Sequence, residues 1–272
     1  MAKGERLDAV VVARGLFASR TEAQSAIMQG AVLVNGEKLT KPGAPVKADA
    51  QIELIGSFAR KPYVSRGGLK LERALREFDI SARDRICLDV GASTGGFTDC
   101  LLKHGARKVF AIDVGYGQLD WRLRQDPRVQ VIERMNARDL TADALYSEDE
   151  ERADLAAVDV SFISLSKVIP RVVACLKEKT SDLICLVKPQ FEAGREKVGK
   201  GGVIKSADIH IEVLQHVLTF ALSVGIYPEH LTYSPIKGPK GNIEFLAHFS
   251  LHQSQNQIDV APVVRQAHEN LS

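Results

Sequence analysis

Ile86-Cys87-Leu88-Asp89-Val90-Gly91-Ala92-Ser93-Thr94-Gly95-Gly96-Phe97 is a short apolar run that breaks into glycines and restarts at helical spacing. Similar runs recur along the chain. Val109-Phe110-Ala111-Ile112 ends at Asp113, Ala153-Asp154-Leu155-Ala156-Ala157-Val158 ends at Asp159, and Ile184-Cys185-Leu186-Val187 ends at Lys188. Near-continuous apolar runs suit strands covered on both faces, and their alternation with helical segments implies a parallel α/β sheet. Ligands of such sheets bind beyond the carboxyl ends of the strands, so two carboxylates and a lysine are expected to share one crevice. That combination points to an enzyme.

Working outward, the spacing predicts helices over 69–78, from the glycine loop to His104, over 119–124, 165–176 and 208–224. Strands are expected over 86–90, 108–112 and 129–132, with two more near Leu231 and Ile243. Ile243, Phe245, Ala247 and Phe249 alternate at period two, which suits an antiparallel closing strand. The beginning of such a strand, rather than its end, meets the crevice, so Glu244 can join Asp159 and Lys188. Singly, each charge has an ordinary reading: a lysine snorkels to water, a carboxylate caps the next helix. Their convergence is what implies chemistry.

With 272 residues the chain has room for one α/β domain and a small companion. Its net charge of +2 is unevenly placed, because nine bases face six acids up to Lys61. A phosphate-bearing partner is therefore expected at the N-terminus. There Ser19 and Glu22 form a capping-box pattern, and Ala31 to Val34 leads into an Asn35-Gly36 hairpin turn, with a further strand over 51–55. Cys87, Cys100, Cys175 and Cys185 lack metal-ligand spacing and read as small core residues, and no metal is expected. Neither a signal segment nor an apolar stretch of spanning length is evident, so a cytoplasmic protein is expected.

The glycine loop follows a strand and opens a helix, and Asp113 ends the next strand, where ribose hydroxyls would be received. The spacing G-x-x-x-G-G departs from the dinucleotide pattern, and Asp89 would repel a pyrophosphate. A cationic nucleoside, S-adenosylmethionine, fits better than NAD. The expected cofactor residues are Asp89, Gly91, Ala92, Ser93, Thr94, Gly95, Gly96, Phe97 and Asp113.

Five motifs taken together resemble the TlyA family: Tyr63-Val64-Ser65-Arg66-Gly67-Gly68-Leu69-Lys70-Leu71, the loop 89–97, Val158-Asp159-Val160-Ser161-Phe162-Ile163-Ser164, Leu186-Val187-Lys188-Pro189-Gln190-Phe191-Glu192 and Gly241-Asn242-Ile243-Glu244. The resemblance runs from about Arg6 to Phe249. It implies an FtsJ-like ribosomal RNA 2′-O-methyltransferase carrying an N-terminal RNA-binding module of the ribosomal S-four type, with Lys70, Asp159, Lys188 and Glu244 as its catalytic tetrad. The expected fold is α/β, a Rossmann-like S-adenosylmethionine-dependent methyltransferase sheet, mostly parallel with the last strand antiparallel, behind a small N-terminal α+β RNA-binding domain. The expected boundaries are 1–58 for that module, 59–64 for a linker, 65–250 for the methyltransferase domain and 251–272 for a tail. Arg6, Arg14, Arg20, Arg66, Arg195 and Lys200 are the expected contacts to ribosomal RNA or ribosomal subunits. Two rivals remain open at this stage: a catalytically idle ribosome-associated factor, and a haemolysin as the family label suggests.

Overall fold

The computed structural model describes residues 4–17, 19–47, 49–58, 62–178, 180–199 and 201–271. Two units divide the chain, Met1–Lys61 and Pro62–Ser272. In the first, β1 (Glu5–Arg6), α1 (Leu7–Ala13), α2 (Arg20–Met28), β2 (Val32–Val34), β3 (Glu37–Leu39), β4 (Pro45–Val46) and β5 (Ile52–Leu54) enclose a small core that includes Leu7, Val11, Ala26, Ile27 and Val32. Ser19 Oγ accepts the amide of Glu22 and starts α2, as the capping pattern predicts. Asn35 and Gly36 both adopt positive φ, 52° and 83°, which a tight β2–β3 turn of the hairpin type requires.

The second unit runs α3 (Gly67–Glu77), β6 (Ile86–Val90), α4 (Gly96–Lys103), β7 (Lys108–Ile112), α5 (Trp121–Arg124), β8 (Val129–Ile132), α6 (Ala142–Leu145), β9 (Leu155–Val158), α7 (Ile169–Val173), β10 (Asp182–Val187), α8 (Pro189–Glu192), α9 (Ala207–Ser223), β11 (Tyr227–Tyr233), β12 (Phe245–Ser250) and α10 (Val260–Leu271). Its seven strands lie in the order β11-β12-β10-β9-β6-β7-β8. The five from β10 to β8 are mutually parallel, whereas β12 runs antiparallel to both β10 and β11. The chain starts the sheet at β6, builds outward through β7 and β8, and then returns to place β9 on the other side. The reversal between β6 and β9 is where an open α/β sheet leaves a crevice.

Each strand sends alternate residues to opposite faces. Leu88, Phe110, Phe245 and Phe249 join a core under α9 and α10, while Cys87, Val109, Ile184 and Leu246 join one under α3 and α4. The last strand runs antiparallel, as its period-two pattern predicts, with Phe245, Ala247 and Phe249 on one face and Leu246 on the other. It is not the edge strand, since β11 lies outside it, and every residue of β12 is buried, with side chains in both core clusters. The segment after Ser250 also contributes to the core, since α10 buries Val260, Val264 and Ala267 in the same cluster as α9. Cys87, Cys100, Cys175 and Cys185 are buried free thiols.

At the amino ends of the strands Arg85 donates Nε to Asp154 Oδ1 at 2.9 Å and Nη1 to Asp182 Oδ2 at 2.6 Å. His248 Nε2 lies 2.9 Å from the other Asp182 oxygen. Burial pushes the Asp182 carboxyl up, but the bonds from His248 and Arg85 outweigh it and hold it below its ordinary value. Such a group contributes stability above its unfolded pKa and loses it as the pH falls. Arg85→Ala should therefore cost about 2 kcal/mol at pH 7. The deficit should narrow as the pH drops below about 4. Urea unfolding across this range checks it, and a gap independent of pH would refute the ion-pair account.

Candidate active site

The crevice forms where β6 and β9 end side by side, paired through Val90 and Val158. Gly91 follows the first and Asp159 the second. Gly91 turns with φ +92°, and a Cβ there would stand 2.4 Å from the backbone oxygen of Asp159. Only glycine admits this approach. Gly91 N and Ala92 N both donate to Ile112 O, at 2.8 and 3.0 Å, which ties the loop to the end of β7. Gly95 also needs its glycine, since a Cβ there would meet Leu123 Cδ1 at 2.2 Å. It serves packing and lines none of the cavities described below.

Three cavities share this loop. One of about 590 Å3 lies beyond β7 and is walled by Gly91, Ile112, Asp113, Met135, Ala137 and Val160 among others. Its volume falls in the range of about 300–1,000 Å3 typical of small-molecule sites. Asp113 accepts the amides of Ser93 and Gly115 at 2.8 and 2.6 Å, which leaves further lone pairs for a ligand. A second cavity, about 230 Å3, opens at the N-termini of α3 and α4 and is lined by Ser65, Arg66, Ala92, Thr94, Gly96 and Phe97, with Lys237 also present. Two helix N-termini, the Arg66 guanidinium and the ammonium groups of Lys70 and Lys237 outweigh the Asp159 carboxylate on the same wall and favour an anionic group there.

The third cavity, about 530 Å3, holds the tetrad. Lys70 Nζ from α3 lies 2.5 Å from Glu244 Oε2, immediately before β12. Lys188 Nζ lies 2.6 Å from Asp159 Oδ1 and donates to Ser161 Oγ at 2.8 Å. Four charges that are distant in the chain thus form two ion pairs on one surface. Room for Glu244 depends on Gly238, where a Cβ would meet its Oε1 at 2.4 Å. Asn242 accepts the amide of Ile204 and donates to Gly202 O, anchoring the glycine-rich loop beside the cavity.

Asp159, Lys188 and Glu244 meet in the crevice as the strand reading predicts, Lys70 joins them from α3 where the family resemblance put it, and Asp113 lines the adjoining cavity. Asp89 does not reach a cavity wall. It is fully buried beneath the loop, where one carboxylate oxygen accepts the amide and hydroxyl of Thr98 at 2.7 and 2.6 Å and the other has no hydrogen-bond partner among the described residues. Arg66 lines the small cavity. The side chain of Arg195, and Lys200 altogether, lie outside the described residues. Reading strand ends alone missed Ser161 and Phe162, although both stand in the motif that runs from Val158 to Ser164. Phe162 adopts φ +63°, rare for a bulky residue, and is 85% exposed at the lip of two cavities with its ring tilted over Phe191. Met135 and Ala137 were missed because their loop carries no motif.

Residues 63–251 match the FtsJ-like methyltransferase family, and residues 5–52 match the S4 domain. The chain belongs to the TlyA family of FtsJ-like methyltransferases. It is 47% identical to the Bacillus subtilis protein named "Putative rRNA methyltransferase YqxC", over 99% of this chain and 96% of that one. It is 44% identical to the Mycobacterium tuberculosis 16S/23S rRNA (cytidine-2′-O)-methyltransferase TlyA, over 90% and 89% of the two chains. A solved structure titled "Putative hemolysin from Streptococcus thermophilus" superposes with a TM-score of 0.73 at 43% identity, over 99% and 98%. No helix among the described residues of this TlyA family member is long and apolar enough to cross a membrane.

Burial pushes the Asp89 carboxyl up to about 7, against the two bonds from Thr98, and the nearby Asp159 and Asp113 raise it further. A raised carboxyl contributes stability below its unfolded pKa and loses it as the pH climbs through the folded value. The ligand-free methyltransferase should therefore lose stability relative to Asp89→Asn between about pH 4 and pH 8. Thermal unfolding of both proteins across that window measures the difference, and parallel curves would contradict a buried ionising Asp89.

Proposed function

We propose that this chain transfers a methyl group from S-adenosylmethionine to a ribose 2′-hydroxyl of ribosomal RNA. The observation that carries the reading is the juxtaposition of two lysine–carboxylate pairs with a cofactor-sized cavity across the shared wall of Gly91, Ser93 and Asp159. The donor supplies an electrophilic methyl on a sulfonium. Asp113 suits the ribose hydroxyls of its adenosine, Ile112, Met135 and Ala137 offer apolar walls for the purine, and the small cavity at the N-termini of α3 and α4 suits the carboxylate. Asp113 and Asp159 on the wall of the larger cavity favour a cationic donor over a pyrophosphate.

A ribose hydroxyl is a poor nucleophile, so its proton must leave and its developing charge must be held. Lys188 and Lys70 set two ammonium groups where that charge forms, and Asp159 and Glu244 fix their positions. Because Lys188 is ion-paired, we assign it the stabilising role and Asp159 the role of proton acceptor. Excluding bulk water from the cavity strengthens both effects. The exposed ring of Phe162 offers a face on which an unstacked base can rest, which a duplex-bound base could not do. The S4 domain supplies a separate RNA contact through Arg6, Arg14 and Arg20, and tethering it raises the effective RNA concentration at the tetrad.

Transfer of labelled methyl from S-adenosylmethionine to unmodified ribosomal subunits, followed by mapping of ribose methylation, tests the reading. Lys188→Ala should lower the rate by about 100-fold or more. Absence of any ribose methylation by the unaltered protein would favour an idle RNA-binding factor instead. A rate that climbs steadily from pH 6 to 9, and does so only when Lys188 is present, would transfer the base role from Asp159 to the lysine.

A further inference from the structure

Asp8 is a fully buried carboxylate in the first turn of α1, and cations converge on it. Arg6 donates Nε to Oδ1 at 3.1 Å and Nη2 to Oδ2 at 2.9 Å. Arg20 Nη2 lies 3.2 and 3.1 Å from the two oxygens, and Gln24 Nε2 donates to Oδ2 at 2.8 Å. The arginine side chains are 56% and 55% exposed, whereas that of Asp8 is 0% exposed. An acid at this point of a helix ordinarily serves the free amides. Here its partners among the described residues are side chains.

Stability does not account for the arrangement. Half-exposed ion pairs contribute little, and burying a carboxylate is costly unless every lone pair is served. What the cluster does achieve is geometric. Two long side chains that would otherwise sample many rotamers are held side by side, which removes an ordering cost from any later binding step. Each guanidinium has five N–H donors, and those not spent on Asp8 remain for a ligand. Gly43 completes the seat, since a Cβ there would stand 2.9 Å from Arg6 Nη1.

We propose that Asp8 is a positioning residue that sets Arg6 and Arg20 as a two-pronged clamp for phosphates of the RNA backbone. The proposal rests on the RNA-contacting role assigned to the S4 domain above. Adjacent forks of this kind match phosphate oxygens in direction as well as charge. Hydrogen bonds from Arg6, then from Gln24 and Arg20, outweigh burial and hold the Asp8 carboxyl well below its ordinary range, so the clamp stays assembled at neutral pH.

Asp8→Asn preserves shape and makes the module more positive by one charge. If the arginines acted through charge alone, this variant would bind any RNA more tightly and with a steeper salt dependence. Positioning predicts the opposite for the specific target. In the full-length protein, Asp8→Asn should weaken binding to unmodified small or large ribosomal subunits by about tenfold while binding to poly(U) holds or tightens. Gly43→Ala alters no charge but displaces the Arg6 head, so it should also weaken subunit binding, and it carries the test if circular dichroism shows Asp8→Asn unfolded. Subunit binding by Gly43→Ala and folded Asp8→Asn as tight as in the unaltered protein, or an equal loss for subunits and poly(U), would overturn the positioning role. Arg6→Ala with Arg20→Ala separates the two readings. If that double variant alone loses subunit binding, the S4 domain keeps its RNA role without the clamp; if it too binds normally, both readings fall.

Discussion

The contact between Gly91 and the backbone of Asp159 is the constraint around which the crevice is built. Parallel pairing of β6 with β9 brings the two strand ends together, and the missing Cβ lets one loop pass directly over the other. Any side chain at position 91 would force the loops apart, because its first carbon would overlap a peptide oxygen rather than a side chain able to rotate away. The same contact forms the wall common to the cofactor-sized cavity and the cavity that holds the tetrad. A methyl group passing between two ligands needs such a thin partition, since in-line transfer tolerates little misplacement.

Charge pairing explains how the crevice accommodates four ionised groups. An isolated buried charge is strongly disfavoured, yet each lysine here faces a carboxylate across 2.5–2.6 Å, so neither pair carries net charge. The opposite end of the sheet uses the same principle for another purpose. There Arg85 joins the starts of β9 and β10 through Asp154 and Asp182. Ion pairs thus tie strands together at one end of the sheet, and at the other they line a cavity.

Much of the sheet was legible because fully covered parallel strands leave a plain signal. The runs at 86–90, 108–112 and 129–132 match β6, β7 and β8 in the structure. The position of β12 was not legible from its alternation. Phe245, Ala247 and Phe249 face one core while Leu246 faces the other, and β11 pairs outside the strand, so it is not the edge. A residue pattern records how apolar each face is, but not which strand pairs along its edge. The same limit hid the contribution of α10, whose Val260, Val264 and Ala267 become core residues only beside α9.

In the crevice, the sequence alone determined which chemical groups stand at strand ends: a glycine loop after β6, Asp113 after β7, Asp159 after β9 and Lys188 after β10. Those positions follow from local periodicity, which needs no knowledge of neighbours. Only the tertiary structure decided the partners: Lys70 with Glu244, Lys188 with Asp159 and Ser161, and Asp89 sealed under the loop with Thr98 instead of facing the cavity. Pairing over such separations depends on strand order and on the width of gaps between loops, and both are properties of packing that no stretch of chain carries by itself.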